Sequence, residues 1–261
     1  MTDRDIGKVV FDEVAELYDQ ARHGYPDQLF DDVVSLSGIP QDGRILEVGC
    51  GTGQATVGFA RRGYSILCVE PGARLAEVAR RNLRQYPRVS VTVSSFEDWQ
   101  LEGSAYDVVI FADSFRWITP AIGYYKAAQA LRPTGSIAIF RNTSPPVDSE
   151  FFRELDVVYQ NHVPQLAGYH TQRASPSASD SREEEMNSLG LFENVVVKRY
   201  PWFAEYDATA YTKLLDTYSD HRRLSEATRR GLFEAITELI GEHGGAFTKP
   251  YVAVLHLARK K

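Results

Sequence analysis

The stretch Ile45-Leu46-Glu47-Val48-Gly49-Cys50-Gly51-Thr52-Gly53 constrains the fold of this chain more than any other. An apolar run of strand character enters three glycines at alternate positions, and a helical pattern starts directly behind them at Gln54. Glycine permits a tight turn and lets the backbone approach a ligand that a Cβ would exclude. In open α/β sheets ligands bind at the carboxyl ends of the strands, so this loop stands where a ligand belongs. A second apolar run, Ile66-Leu67-Cys68-Val69, ends in Glu70, a carboxylate able to accept both hydroxyls of a ribose.

The first half of the chain repeats that rhythm. Strands are predicted at Arg44–Gly49, Ser65–Glu70, Val89–Ser94, Tyr106–Ala112 and Ser136–Phe140, with helices at Gln54–Arg62, Ala73–Tyr86 and Pro120–Leu131. Strands alternating with helices argue for a parallel sheet covered on both faces. Pro133 and Gly135 stop the third of these helices and turn the chain into the fifth strand. Pro145-Pro146 then breaks the pattern. The segment 145–190, with helices predicted at Asp148–Gln160 and Ser181–Leu189 around a Ser-rich run, reads as an inserted helical cover or substrate lid. A strand at Asn194–Tyr200, helices at Ala208–Tyr218 and Ser225–Gly241, and a strand at Tyr251–Ala258 complete the chain. The expected fold is one α/β domain over residues 1–261. It is Rossmann-like and doubly wound, with a seven-stranded, mostly parallel sheet, an antiparallel edge strand and a helical cover.

Two cofactors suit a glycine loop paired with an acid at the end of the next strand. The dinucleotide fingerprint G-x-G-x-x-G/A requires a small residue where this chain has Gln54. Glu47, just ahead of the loop, would repel a pyrophosphate but suits the ammonium of a methionine moiety. Both points favour S-adenosylmethionine over a nicotinamide dinucleotide.

The bulk properties narrow the partners. A formal charge of −6, with basic residues scattered in pairs such as Arg80-Arg81 and Arg229-Arg230, lacks the basic stripe of a nucleic-acid enzyme. A small-molecule substrate and no nucleic acid are expected. No run approaches the roughly 18 apolar residues of a membrane helix, the first five residues are polar, and two cysteines offer no disulfide framework. The reading is cytoplasmic, with no membrane partner. No acidic or histidine cluster has metal-ligand spacing, so no metal is expected. The oligomeric state is left open.

Glu47-Val48-Gly49-Cys50-Gly51-Thr52-Gly53 with Glu70 resembles the first two motifs of class I S-adenosylmethionine-dependent methyltransferases. The segments Phe11–Ala15, Tyr18-Asp19 and Arg22 through Tyr25-Pro26, and the ending from Thr217–His221 to Val254–Arg259, are similar to a small-molecule branch related to trans-aconitate and ubiquinone-type enzymes. The resemblance implies that Glu47, Gly49, Cys50, Gly51, Gly53 and Gln54 surround the methionine part, mostly through backbone groups. It implies Glu70 at the ribose and Pro71, Ser95, Phe96 and Glu97 around the adenine, with Ser95 where Asp is commoner. Ala112, Asp113 and Phe115 match the turn after the fourth strand. Residues 1–40 would fold over the cofactor, with Tyr18 against it and Arg22 holding the methionine carboxylate.

Such an enzyme performs an in-line displacement at an activated methyl carbon, leaving S-adenosylhomocysteine as product. Placing the nucleophile about 3 Å from that carbon supplies roughly 7–11 kcal/mol of the barrier reduction. A base is needed only where the nucleophile must lose a proton; the candidates are His162, His170, His221 and Asp113. Arg116 stands where related sequences often have His. It stays protonated, so it would pair with a substrate carboxylate or phosphate instead. Phe151, Phe152, Tyr159, Tyr169, Trp202, Phe203 and Tyr206 would line a site for a ring-bearing acceptor. A protein that binds the cofactor for another reaction, or only as a structural ligand, has the same site and remains the alternative.

Overall fold

The computed structural model describes residues 10–168 and 180–261. Seven strands, β1 (Arg44–Val48), β2 (Ser65–Glu70), β3 (Val89–Val93), β4 (Tyr106–Ala112), β5 (Leu131–Thr143), β6 (Phe192–Asp207) and β7 (Ala246–Lys260), form one sheet. Their order is β3-β2-β1-β4-β5-β7-β6. β1 to β5 pair in parallel, while β7 runs antiparallel to both β5 and β6. The antiparallel edge is therefore a hairpin-like pair, with β7 inside and β6 outermost.

Strand alternation sends side chains to two cores. Ile45, Ile66, Val108 and Ile110 pack with Phe30 of α2 (Asp27–Ser37) and Phe59 of α3 (Gln54–Arg61). Leu46, Val69, Val109 and Phe111 face the opposite way, onto Tyr124 of α5 (Pro120–Ala130) and Met186 of α7 (Asp180–Ser188). Burial on both faces explains why these strands read as continuous apolar runs. Each fully buried ring such as Phe59 or Phe111 contributes about 1.5–3 kcal/mol over an exposed one. α1 (Ala15–Ala21) lies across α4 (Ala73–Leu83) through Ala15, Leu75 and Val78.

The predicted turn after α5 is present inside β5. Leu131 pairs with Tyr106, and the ladder resumes only at Ser136 against Val108, so Arg132–Gly135 bulge out with Thr134 at φ 69°. A larger difference lies in β6 and β7, which run 16 and 15 residues and so far exceed the predicted seven or eight. Both strands continue past the carboxyl edge of the parallel strands, paired in register from Tyr200↔Ala253 to Asp207↔Ala246. Cross-strand packing supports this extension where single-strand patterning is weak.

The extension joins α6 (Glu150–His162), α8 (Ala208–Leu215) and, beyond the short α9 (Ser219–Arg222), α10 (Glu226–Glu242) in a third core, with Phe152, Tyr159, Tyr206, Tyr211, Leu232 and Tyr251. Short polar residues start these helices. Ser149, Asp207 and Ser225 accept from the amides of Phe152, Ala210 and Thr228. The 145–190 stretch therefore divides between two cores: α6 packs in the third, whereas α7 packs against the sheet with Phe192. The Ser-rich run and Tyr169 lie outside the described residues. No described helix is long and apolar enough to cross a membrane.

Candidate active site

At the carboxyl end of β1 the chain makes the turn that its glycines anticipate. Gly49, Gly51 and Gly53 take φ of 70°, 57° and 95°, a left-handed region that a side chain makes costly. Gly49 is the most constrained, because a Cβ there would lie 2.6 Å from the Ser114 Cβ. The Ser114 hydroxyl ties that approach down by donating to the Val48 carbonyl. Gly53 leads into α3 and packs on Leu83, away from the cavity.

Glu70 ends β2 beside this loop, almost buried. Its two carboxylate oxygens accept from the amides of Gly51 and Gly72, each at 2.9 Å. Glu47 is 1% exposed, and neither carboxylate oxygen makes a hydrogen bond. Burial raises its pKa to about 8; nearby Glu70 adds to the rise, and the neighbouring Thr56 hydroxyl offsets part of it. This buried acid precedes the glycine loop and lines neither of the two cavities described below.

A cleft opens above these residues. Of the residues singled out from sequence, Tyr18, Arg22, Gly49, Gly51, Glu70, Pro71, Phe96, Glu97, Ala112, Asp113 and the substrate-side candidate Arg116 line it. Phe11, Leu75, Trp117 and Ile118 complete its apolar wall and were not anticipated. Their only sequence signal was amphipathic spacing, which core residues share. Asp113 sits between the cleft and a second cavity in the left-handed region, at φ 57°. That conformation is sparsely populated by non-glycine residues and marks sites held by their surroundings.

The second, larger chamber adjoins the first across Tyr18, Arg22, Gly49, Gly51, Asp113 and Arg116. Cys50 and Gln54 line this chamber rather than the cleft. Arg22 fixes the boundary. Its guanidinium donates to the Thr217 hydroxyl at 2.8 Å and the Thr217 carbonyl at 3.1 Å. It also stacks over the rings of Tyr18 and Tyr218, at 5.0 and 4.5 Å. Arg116 is exposed at the shared rim, with its guanidinium over the Trp117 ring at 4.7 Å.

Deeper in the chamber, His221 is 6% exposed and its Nε2 lies 2.8 Å from the Tyr159 hydroxyl. Burial lowers its pKa to about 4, so the ring is neutral at pH 7. Tyr251, Tyr206 and His23 form a hydrogen-bonded chain, with contacts of 2.8 and 2.6 Å. Lys249 also faces the chamber; desolvation lowers its pKa to about 8.

Other expected site residues fall elsewhere. Ser95 closes a turn with Asp98 and does not line the cleft. Phe115 is buried against Phe111 and Tyr124. His162 is exposed at the end of α6, near Gly231 of α10, and lines neither cavity. His170 lies outside the described residues. Among the described residues, Phe203 is exposed on the outer face of β6, and Phe151 stacks on Phe247 away from the chamber.

Fold, glycine loop and acidic partner together define a Rossmann-like methyltransferase architecture. Residues 45–135 match the methyltransferase domain family. That match spans the glycine loop and Glu70 and supports a class I S-adenosylmethionine-dependent methyltransferase. It is 27% identical over 133 residues to an uncharacterised methyltransferase of Mycobacterium tuberculosis, covering 51% of this chain and 52% of the relative. It is also 26% identical over 197 residues to a malonyl-[acyl-carrier protein] O-methyltransferase of Priestia megaterium, covering 74% of this chain and 66% of that one. The chain thus spans about half the length of the first of these relatives. A structure from Anaeromyxobacter dehalogenans described as a type II methyltransferase superposes with a TM-score of 0.65 at 22% identity, covering 91% of this chain and 97% of that one. The Haemonchus contortus phosphoethanolamine N-methyltransferase 2, in complex with phosphomonomethylethanolamine and S-adenosylhomocysteine, superposes at 0.57 and 17% identity, over 100% of this chain and 60% of that one. These last two likenesses concern the fold.

Proposed function

We propose that the protein transfers a methyl group from S-adenosylmethionine to a small-molecule acceptor held in the second chamber. The observation that carries this reading is the meeting of the two cavities at Gly49, Gly51 and Asp113. In this reading Glu70 exchanges its backbone amides for ribose hydroxyls. Pro71, Phe96 and Glu97 flank the adenine, and Glu47 answers the ammonium. Arg22, already fixed by Thr217, holds the methionine carboxylate. The cofactor brings a methyl group already activated by a sulfonium, so this chain's own task is placement and exclusion of water. Tyr18, Arg22 and Tyr218 stack into a wall between the cavities, and Asp113 is pinned at the junction by the hydrogen bond that its backbone N–H donates to the Phe140 carbonyl.

Where the acceptor must lose a proton, His221 takes it; of the histidine candidates, it alone among the described residues lines the chamber. Arg116 at the rim meets an anionic part of the acceptor. The α6 end of the 145–190 segment closes over the bound acceptor, and a small metabolite in the cytoplasm is the substrate class. Calorimetry with S-adenosylmethionine and with NAD(H) tests the reading. Micromolar binding of the first alone is expected, weakened at least about tenfold in Glu70→Ala, a loss of about 1.4 kcal/mol. No binding of S-adenosylmethionine would overturn it.

A further inference from the structure

His23 lines the second chamber, next in the chain to Arg22, which lines both cavities. Its backbone is fixed on both sides. Arg22 is held by Thr217, and the Gly24 carbonyl accepts from the Asn142 side-chain amide at 3.0 Å. The Asn142 side-chain oxygen in turn accepts from the Trp202 indole N–H at 3.1 Å. Trp202 stacks on Tyr251 with ring centres 4.5 Å apart, and the His23 ring meets Trp202 edge-on at 5.3 Å. Trp202 and Tyr251 also line the chamber.

A chain of hydroxyls fixes which nitrogen of His23 carries its proton. The His23 Nε2 lies 2.6 Å from the Tyr206 hydroxyl, which lies 2.8 Å from the Tyr251 hydroxyl. Tyr206 and Tyr251 are 3% and 7% exposed, so a hydroxyl proton without an acceptor there is costly. Were Nε2–H to donate to Tyr206, Tyr206 would donate to Tyr251. The Tyr251 proton would then have no acceptor among the described residues. With Tyr251 donating to Tyr206 and Tyr206 to Nε2, every hydroxyl proton is engaged. Burial raises the pKa of both phenols; their shared bond raises Tyr251 further and offsets part of the rise at Tyr206, as it does when Tyr251 is the donor. Burial and the neighbouring Arg22 both lower the His23 pKa, which keeps the ring neutral at pH 7. A neutral ring that accepts at Nε2 carries its proton on Nδ1. Tyr206 does not line the chamber, so the Nε2 bond anchors the ring to the wall.

We propose that His23 donates its Nδ1–H to a carbonyl oxygen on a ring-bearing acceptor and holds that acceptor against Trp202 and Tyr251. The proposal rests on the chamber being the acceptor site of a methyltransferase. Among the described residues nothing accepts from Nδ1, and a carbonyl offers lone pairs without a competing proton. Trp202 supplies an apolar face, because its own N–H is taken by Asn142. As a donor His23 is not the base, a role that stays with His221.

The test uses the full chain with isotope-labelled histidine, saturated with S-adenosylhomocysteine. Long-range nitrogen–proton NMR correlations separate the two tautomers, and the His23 signals are those missing from His23→Phe. The Nδ1–H form is expected in the unmodified protein, and the Nε2–H form in Tyr206→Phe. The same samples are titrated with acetophenone and with ethylbenzene, which share a ring and differ in the carbonyl. Acetophenone is expected to bind at least about threefold tighter. His23→Phe leaves both tyrosines in place and is expected to abolish that preference, with S-adenosylhomocysteine affinity within about twofold. His23→Asn, whose amide nitrogen falls near Nδ1, is expected to keep it. An Nε2–H tautomer in the unmodified protein, no acetophenone binding, equal affinities, or a preference that survives His23→Phe would each overturn the proposal. Failure of the unmodified protein to bind S-adenosylhomocysteine would instead overturn the methyltransferase reading on which it rests.

Discussion

Replacing Glu47 by Gln should make the ligand-free protein more stable at neutral pH. Folding moves the Glu47 pKa from 4.5 to about 8 because the carboxyl is buried without a partner. The native state therefore holds a proton that the unfolded chain releases above pH 4.5. Stability from this group is complete below 4.5 and is lost as pH rises toward 8. Between pH 5 and pH 8 the loss amounts to about 3 kcal/mol, at 1.36 kcal/mol per unit. Gln does not titrate, so Glu47→Gln should lack this fall. For a chain of this size that difference corresponds to roughly 6 °C or more in Tm. The assay is calorimetric unfolding of both ligand-free proteins at pH 5, 6, 7 and 8. The unmodified protein should lose ground to the variant steadily across the series. Curves that stay parallel would refute the reasoning, because Glu47 would then be ionised or solvated in the fold. The same residue should make cofactor binding release a proton at pH 7, since an ammonium favours the carboxylate. Calorimetry in buffers of different ionisation enthalpy should show that release, and Glu47→Gln should abolish it.

Three further outcomes follow from other contacts. Gly49→Ala combines left-handed strain with overpacking against Ser114 and should cost about 2–5 kcal/mol. Gly51→Ala meets Tyr18 only at 3.5 Å and should cost about 1–2 kcal/mol, so urea unfolding should separate the two. Folding lowers the His221 pKa to about 4, so stability from this group is present above pH 6.5 and lost as pH falls toward 4. His221→Gln should remove about 2 kcal/mol of that acid sensitivity, read from unfolding midpoints at pH 4.5 and 7. Arg22→Met deletes two hydrogen bonds to Thr217, and charged bonds of this kind contribute about 1.5–3 kcal/mol each. The variant should melt several degrees lower and bind S-adenosylmethionine more weakly; unchanged affinity would remove Arg22 from the cofactor site.

The residues that the structure gathers at the cleft were legible because their placement is local. Gly49, Gly51, Glu70, Pro71 and Phe96 lie in short turns at the carboxyl ends of β1, β2 and β3, where spacing fixes their relative positions. Ser95, Phe115 and His162 fall outside the cleft for a different reason. Each has a plausible residue type, but its direction depends on a turn or a helix face: Ser95 bonds Asp98, and Phe115 rotates into the core. Lys249 was invisible because the sequence before Tyr251 reads as a loop after Gly244-Gly245. Only pairing with Ala204 shows that it is a strand facing inward.

The sequence by itself determined the alternation of β1 to β5 with helices, the glycine turn and its acidic partner, since short-range propensity and periodicity encode all three. Tertiary structure decided the rest. The 16- and 15-residue antiparallel strands are stabilised by each other and by α6, α8 and α10, contacts far apart in the chain. The second chamber takes its shape from that packing, which brings Arg22 to Thr217, Tyr159 to His221 and Lys249 to Phe152. Pairings of such separation carry no local signature, because their stabilisation appears only once the intervening chain has folded.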